Sequence, residues 1–441
     1  MEKKSTLLHL GALVLVAALV AAIWWIVTPS DDGSLAERPF PALHIVTQDE
    51  VPIRSREIWV NAVFALDNTN AADAFDSATG QIRGRGNSSW DLFQGAKLPY
   101  RIRFDESRTI AGTDHTARSW VLIANHSDKS LMRNYAAYYF ASLLDGMYYA
   151  PIAIFVDVYL NGDYRGVYML SDHQDVRRGR VELTFDADPT ISEYHLQFCM
   201  RRAGQGGEEG LDFVTINRRH YDIRNPRGDL LTHEHAEYVR AFLTRVEDLA
   251  RARDERVFNY IHLPSFVDFY IVQELFKNQD VGWSSVFMQI RGQGDDRRLE
   301  MGPVWDFDIA AGNAYYQRYS VHTGYHPWGE WTQHVHRWYG YLMRMPAFFD
   351  AVYYRWWEIR DDQVVATIDR VRRTGEVNQL GFERNFERWP ILGVYTWPNP
   401  RRVAEIDTFM GHVDHLANFL TARAAWMDNW FTTYKSVRGS G

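Results

Sequence analysis

The sequence NQDVGWSSVFMQ, residues 278–289, continues through a short polar insert into MGPVWDFDIAAGN, residues 301–313. Three carboxylates stand out in this stretch. Asp280 follows an apolar helical run, whereas Asp306 and Asp308 lie in an apolar, strand-like run. A carboxylate among large apolar side chains is costly to bury unless it is paired or bound to a metal. These aspartates therefore need an explanation other than a solvated surface charge.

The spacing of these residues is that of the catalytic and metal-binding loops of a kinase. There, one aspartate receives the proton of the attacking hydroxyl, and a polar residue five positions later holds a second Mg²⁺. The aspartate of a later motif joins Mg²⁺ to the phosphates. The corresponding residues here are Asp280, Ser285 and Asp306. The spacing alone leaves open a structural alternative, in which Asp280 caps a loop and Asp306 ends a strand.

A glycine-rich turn, GRGNSSW at residues 84–90, lies between two predicted strands and is followed by Lys97. A glycine-rich hairpin and a lysine on the next strand are suited to cover and bind phosphate groups. The alternative is an ordinary β-turn followed by a surface lysine.

Composition limits the possible classes of function. The chain has 441 residues, enough for one or two domains with a large core, and a formal net charge of −8. No basic surplus is present to neutralise phosphates, which argues against non-specific nucleic-acid binding. The single cysteine, Cys199, excludes an intramolecular disulfide and a cysteine-based zinc cluster. We expect it to be buried as a small apolar residue.

Residues 1–28 predict a short cytoplasmic segment and a membrane anchor. The apolar run from Leu7 to Val27 is long enough to cross a bilayer as a helix, and Lys3 and Lys4 before it favour a cytoplasmic N-terminus. No small-residue cleavage site follows the run, which favours an uncleaved anchor over a signal peptide. In either case the residues after the polar linker 29–41 are expected outside the cytoplasm.

The rest of the chain predicts an α+β fold, with a β-rich part at residues 42–230 and a mainly helical part at residues 231–435. Period-two patterns predict strands at residues 43–48, 57–66, 81–86, 98–104, 117–125, 152–172 (a hairpin turning at NGDYRG), 180–186 and 193–200. Helical periodicity predicts helices at residues 126–146, 232–255, 263–278, within 326–362, and at 405–431. The segments 201–210 and 383–400 are predicted to be loops.

Two further groups of residues receive structural interpretations. Asp128 is placed like the N-cap of the helix at 126–146, and Arg133 is expected in a buried ion pair or as a surface charge. The histidines of the aromatic segment lack the spacing of a helical zinc motif, so packing and hydrogen bonding are favoured over a metal site there. These histidines are His322, His326, His334 and His336.

Several runs together resemble the CotH (spore coat protein H) kinase family of atypical protein kinases. They occur in the order found in that family and cover most of residues 55–430. The matching runs are GRGNSSW (84–90), KLPYRIRFD (97–105), WVLIANHSDKSLMRNYAAYY (120–139), VYLNGDYRGVYML (158–170), ELFKNQD (274–280), GPVWDFDIAAGN (302–313) and RNFERWPILGVYTWPN (384–399).

The resemblance implies a divergent protein-kinase-like fold of two lobes, β-rich and then helical, that uses ATP with Mg²⁺ or Mn²⁺. It also implies roles for the site residues, carried over by position. Asp280 would be the catalytic base, Asp306 the principal metal ligand and Asp308 an auxiliary one. Lys97 would contact the nucleotide phosphates, and the turn of Gly84, Arg85 and Gly86 would lie over them. Asn313 would help to shape the metal-binding loop.

The sequence departs from the family pattern at three positions. Ser285 stands where members commonly have asparagine or another polar metal ligand, and a neutral hydroxyl holds Mg²⁺ less strongly than a carboxylate does. Asp172 replaces a glutamate, and Gln197 stands where members tend to have an acid. If either acid normally anchors the phosphate-binding lysine, that pairing is weakened here.

These observations lead to one expected function and two alternatives. We expect a membrane-anchored, extracytoplasmic kinase that transfers the γ-phosphoryl group of ATP to a hydroxyl of a surface protein or envelope polymer. The alternative from another class is a catalytically inactive envelope scaffold that binds glycan or protein. A hydrolase with a carboxylate acid–base pair is disfavoured, because the flanking sequence offers no nucleophile.

Overall fold

The computed structural model describes residues 39–67, 74–93, 95–110, 113, 115–199, 206–278, 281, 284–314 and 337–439. The described residues divide into two units. Unit 1 contains the described residues up to Lys129, together with Ile152–His173 and Gly375–Leu392. Unit 2 contains the described residues within Ser130–Pro151, Gln174–Thr374 and Gly393–Gly441.

Unit 1 is built on a closed β-barrel in the order β1-β2-β3-β4-β5-β7-β6. Its strands are β1 (Ala42–Thr47), β2 (Val60–Asp67), β3 (Phe75–Gly84), β4 (Tyr100–Arg108), β5 (Ala117–Ile123), β6 (Ala153–Leu160) and β7 (Asp163–Asp172). Neighbouring strands are antiparallel except β1 and β6, which pair in parallel and close the barrel.

Alternation along the strands fills the barrel. Ile82, Ile102 and Trp120 point inward and have no exposed surface, and burying each such side chain contributes about 1.5–3 kcal/mol. The predicted hairpin at NGDYRG is confirmed, because Asn161 (φ 51°) and Gly162 (φ 79°) both occupy the left-handed region between β6 and β7. Positive φ at both central residues is what a tight type I′ turn requires.

Unit 2 contains a second, five-stranded sheet in the order β12-β11-β8-β10-β9. Its strands are β8 (Tyr194–Cys199), β9 (Phe213–Ile216), β10 (Arg219–Asn225), β11 (Val286–Arg291) and β12 (Arg298–Met301). All pairings within it are antiparallel. Cys199, at the end of β8, is buried as expected, and its thiol donates to Asp222 Oδ2 at 3.1 Å.

The longer helices are α1 (Arg133–Ser142), α2 (His233–Ala252), α3 (Leu263–Leu275), α4 (Arg337–Leu342), α5 (Pro346–Ile359), α6 (Val365–Val377), α7 (Gln379–Arg388) and α8 (Phe409–Gly439). Helix α2 is capped at its N-terminus, where the Thr232 side chain accepts from the His235 backbone N–H. In unit 1, α7 packs on β7, where the Arg388 Nε donates to the Tyr164 carbonyl at 2.9 Å.

A buried ion pair joins α3 to α5 in unit 2. Arg355 Nε and Nη2 donate to the two carboxylate oxygens of Asp268 at 2.8 and 3.1 Å. Asp268 is 1% exposed and also accepts from the Gly146 backbone N–H at 2.8 Å. Arg355 is therefore the main charge partner of a carboxylate that water hardly reaches.

Replacing Arg355 with alanine is expected to lower the free energy of unfolding by roughly 3–5 kcal/mol, because it leaves the Asp268 charge buried with one hydrogen-bond donor. Arg372→Ala is the matched control, since its contact with Asp369 is long (4.0 Å) and exposed and should be worth less than about 1 kcal/mol. Denaturant titration of both variants measures the difference. Equal losses would show that the buried pair does not stabilise unit 2.

Several predicted elements differ from the structure. Residues 180–186 form no strand beyond an isolated bridge at Val181, and β8 belongs to the second sheet rather than the barrel. Asp128 is not a helix cap, because α1 begins at Arg133 after Met132. The first residues of the predicted loop 383–400 belong to α7. The strand-like run that contains Asp306 forms a strand only as far as Met301.

The mixed helix and sheet content confirms the α+β class. Within the part of the chain that the structure describes, no helix is long and apolar enough to cross a membrane. The predicted anchor at Leu7–Val27 and residues 201–205 of the glycine-rich segment 201–210 lie outside the described residues, as do His322, His326, His334 and His336.

Candidate functional site

Asp306 and Ser285 lie next to each other in unit 2. Asp306 follows β12 with φ 71°, and Ser285 precedes β11 with φ 64°. Ser285 Oγ donates to Asp306 Oδ2 at 2.8 Å. Left-handed backbone is uncommon for residues other than glycine and tends to persist where the surroundings fix it, often at functional sites. Two of the predicted metal ligands are thus held within one hydrogen bond of each other.

The loop after Asp306 is fixed at its far end by two asparagines. Asn313 Nδ2 donates to the Asp308 carbonyl at 2.7 Å, and Asn399 Nδ2 donates to Asn313 Oδ1 at 2.9 Å. Both asparagines are 1% exposed, whereas the Asp308 side chain is half-buried. Asn313 therefore shapes this loop through its side chain, and Asp308 lies two residues from Asp306 on a constrained backbone.

Helix α1 holds the same loop from its other side. Asn134 Oδ1 accepts from the Phe307 backbone N–H at 2.7 Å. Arg133 Nε donates to the Ala310 carbonyl at 3.0 Å, and its Nη2 donates to the Ala311 carbonyl at 3.3 Å. Arg133 has no exposed surface, so it is not a surface charge. The helical pattern identifies α1 but carries no signal for these bonds, which join residues more than 170 positions apart.

The chemistry of this loop fits a hard divalent cation. Mg²⁺ and Mn²⁺ bind carboxylate and hydroxyl oxygens. Asp306 and Ser285 supply such oxygens 2.8 Å apart, and Asp308 follows Asp306 by two residues. Among the described residues, no group of three or more His, Cys, Asp or Glu could hold a metal ion. Asp280, the predicted catalytic base, lies outside the described residues.

The glycine turn lies in unit 1 at the end of β3. A Cβ on Gly84 would come within 2.2 Å of the Trp90 ring, and Gly86 has φ 89°, so both positions require glycine. The Arg85 backbone N–H donates to the Pro99 carbonyl at 3.2 Å. The turn is therefore fixed against the chain entering β4, the strand that follows Lys97.

Lys97 is 1% exposed, which rules out the surface lysine that the sequence left open. Its Nζ donates to the Val167 carbonyl and to Asn385 Oδ1, the latter at 2.7 Å, and lies 4.8 Å from the centroid of the Tyr168 ring. Burial holds the pKa of Lys97 well below its usual range, although the charge of Asp157 partly opposes the shift. Burial therefore disfavours the ammonium form, and a nearby anion would favour it.

The anchor of Lys97 is Asn385 on α7 rather than an acid. Asn385 Oδ1 accepts from Lys97 and also from the Val167 backbone N–H at 3.2 Å. Asp172 accepts instead from the Ile152 backbone N–H at 3.1 Å and lies 2.9 Å from His115 Nε2. The other candidate acid position, Gln197, lies on β8 in unit 2.

Sequence reasoning missed Asn385 because the segment after it, rich in Trp and Pro, indicates a loop. It also missed His126, which packs edge-on against Phe93 with ring centroids 4.8 Å apart. Burial, followed by repulsion from Lys97 and Lys129, lowers the pKa of His126 to about 4. His126 is therefore neutral near pH 7 and adds no charge beside Lys97.

Comparison with known proteins agrees with this chemistry. The family described as CotH kinase protein matches residues 82–427, which is more than half of the chain. The match includes the glycine turn, Lys97, the Asp306 loop and α7. No curated protein matches the chain. The extent of the family match shows that this chain belongs to the CotH kinase family.

Proposed function

We propose that this protein is an ATP-dependent phosphotransferase with a divergent, two-lobed protein-kinase-like architecture. The observation that carries the proposal is the bond between Ser285 and Asp306 on a loop fixed by Arg133 and Asn134. A loop constrained in this way keeps its oxygen ligands positioned before a metal ion arrives, so little reorganisation is needed on binding.

In this proposal the site residues have separate roles in phosphoryl transfer. Asp306, with Ser285 and Asp308, holds Mg²⁺ or Mn²⁺, which when bound neutralises charge on the phosphates. Lys97 binds the phosphates beneath the turn of Gly84, Arg85 and Gly86. Asp280 accepts the proton of the attacking hydroxyl as its oxygen bonds to the γ-phosphorus, and the bond from that phosphorus to the ADP oxygen breaks.

We further propose that the acceptor hydroxyl belongs to a surface protein or an envelope polymer. The support is the apolar run from Leu7 to Val27, which would anchor the chain in the cell membrane with its main domain outside the cytoplasm. Because ATP is scarce there, the proposal requires a nucleotide source in the periplasm or at the cell surface.

The second candidate is a catalytically inactive scaffold that binds glycan or protein in the envelope. Two observations favour it. Ser285 is a neutral ligand whose hydroxyl already donates to Asp306, and Tyr354 and Trp357 on α5 expose 64% and 40% of their surfaces. An aromatic surface of this kind can bind ligands without catalysis.

Asp280→Asn is expected to reduce phosphoryl transfer at least 100-fold while nucleotide binding is retained, because an amide cannot accept the hydroxyl proton. The measurement uses the detergent-solubilised full chain, γ-labelled ATP and Mg²⁺ or Mn²⁺, with label followed on the protein and on added acceptors. Thermal shift by metal–ATP reports binding, since ligand at about 100 times its Kd adds roughly 2.7 kcal/mol.

Asp295→Asn, in the exposed turn between β11 and β12, is the matched control. Equal transfer by the wild type and Asp280→Asn would remove Asp280 from the mechanism. A thermal shift without transferred label in any protein would favour the scaffold, as would the absence of both signals.

A further inference from the structure

The outside of the barrel carries three arginines around one tryptophan. The guanidinium carbons of Arg83, Arg101 and Arg103 lie 4.8, 5.6 and 5.6 Å from the centroid of the Trp59 ring. These side chains point outward, because the residues that alternate with them on β3 and β4 fill the barrel core. We call these four residues the cationic face.

Strand register concentrates the charge of this face. Arg83 lies directly opposite Arg101 on the neighbouring strand, where strands are about 5 Å apart. Arg103 follows Arg101 on the same side, at about 7 Å along the strand. Like charges placed opposite each other destabilise a sheet, and contact with the Trp59 ring offsets only part of that cost.

Two arginines of the cationic face lack an ion pair. Among the described residues, neither Arg83 nor Arg103 forms an ion pair. Burial, then repulsion from Arg85, lowers the pKa of Arg83, and Glu57 opposes this shift only in part. Arg83 and Arg103 therefore carry positive charge that no ion pair among the described residues neutralises, on a chain whose formal net charge is −8.

We propose that the cationic face docks an acidic segment of the polypeptide that this enzyme phosphorylates. A planar guanidinium binds a carboxylate through two parallel hydrogen bonds. The spacing of about 7 Å between Arg101 and Arg103 suits carboxylates at alternate residues of an extended peptide. The arginines of the face lie on only two strands. A surface of this size suits a short acidic peptide better than a nucleic acid, which binds along an extended basic groove. The overall negative charge also disfavours nucleic acid.

This inference rests on the proposed function in one respect, that the acceptor is a protein, but docking is measurable without catalysis. The probe is a short fluorescein-labelled peptide in which glutamates flank one serine, titrated against the solubilised full chain by fluorescence anisotropy. The double variant Arg101→Glu/Arg103→Glu is expected to weaken binding at least tenfold. A peptide with glutamine in place of glutamate should bind poorly to every protein.

The control is Arg251→Glu/Arg402→Glu, which makes the same charge change at exposed positions of unit 2 and should leave binding within about twofold of wild type. Unchanged binding by the first double variant overturns the proposal. Tighter binding of a single-stranded RNA oligonucleotide than of the peptide overturns it also. If the first double variant fails to fold, Arg103→Glu alone, at an exposed position, should still weaken binding measurably.

Measurements of phosphoryl transfer test this inference separately from the proposed function. With the glutamate peptide as acceptor, the first double variant should raise KM for the peptide and leave kcat and KM for ATP unchanged. If the peptide binds through the cationic face but no variant transfers a phosphoryl group to it, the docking proposal would be supported and the proposed kinase activity contradicted.

Discussion

Asp306→Asn is expected to abolish metal-dependent turnover, with a loss of about three orders of magnitude in kcat/KM. That loss corresponds to roughly 4 kcal/mol of transition-state stabilisation, which is the scale expected when a metal ion is no longer held by a charged ligand. Asparagine has the size of aspartate and tolerates the φ of 71° at this position. Its amide oxygen can still accept from Ser285, so the variant should fold normally.

The measurement compares ATP turnover and thermal shift by Mg²⁺–ATP or Mn²⁺–ATP in the wild type and Asp306→Asn, with melting curves alone as the check on folding. Asp295→Asn again provides the control for a lost carboxylate. A variant that keeps the wild-type response to metal would show that Asp306 is not a metal ligand. Asp308→Asn should cause a smaller loss, consistent with an auxiliary role.

The second large effect is expected for Lys97→Met, which should reduce ATP turnover at least 100-fold. Methionine fills a similar volume without a charge to attract phosphate. Stability should change by less than about 2 kcal/mol, because the lost hydrogen bond to the Val167 carbonyl is offset by no longer burying a polar amine. The Asn385 side chain keeps its bond from the Val167 backbone N–H. Loss of activity with retained stability would separate phosphate binding from packing.

The same lysine predicts a proton linkage. Burial holds the pKa of Lys97 low in the free protein, and a bound phosphate would favour the ammonium and raise that pKa. Nucleotide affinity should therefore fall as pH rises above the free-protein pKa of Lys97, and binding in that range should take up a proton. Calorimetry in two buffers of different ionisation enthalpy detects the uptake, which Lys97→Met should lack. Identical proton uptake in that variant would contradict the assignment.

Local signals predicted the elements that depend on neighbouring residues. The Asn161–Gly162 turn was recognisable, because turn chemistry acts within a few positions. Closure of the barrel by β1 and β6 was not predicted, since that pairing joins residues more than 110 positions apart. The hairpin of β9 and β10 was also missed, because its short strands lack a clear alternation.

The sequence points to the acids of the candidate site but not to the residues that support them. Asp306 stands out in sequence because a carboxylate lies among apolar residues. The groups that position the site are neutral or belong to distant segments: Asn134 bonds to Phe307, and Asn385 anchors Lys97 from 288 positions away. Side chains of this kind have no period or charge pattern of their own, so only the folded chain identifies them.

The placement of α7 on the barrel has a consequence for synthesis of the chain. The first strands emerge early, but the helix that supplies Asn385 to β7 is made 218 residues after Val167. Until then the Val167 backbone N–H lacks its acceptor and Lys97 lacks its anchor, so unit 1 stays incomplete through most of translation. No N-terminal fragment that ends before Leu392 contains all of unit 1, and one ending at residue 230 should fail to protect its β7 amides from hydrogen exchange.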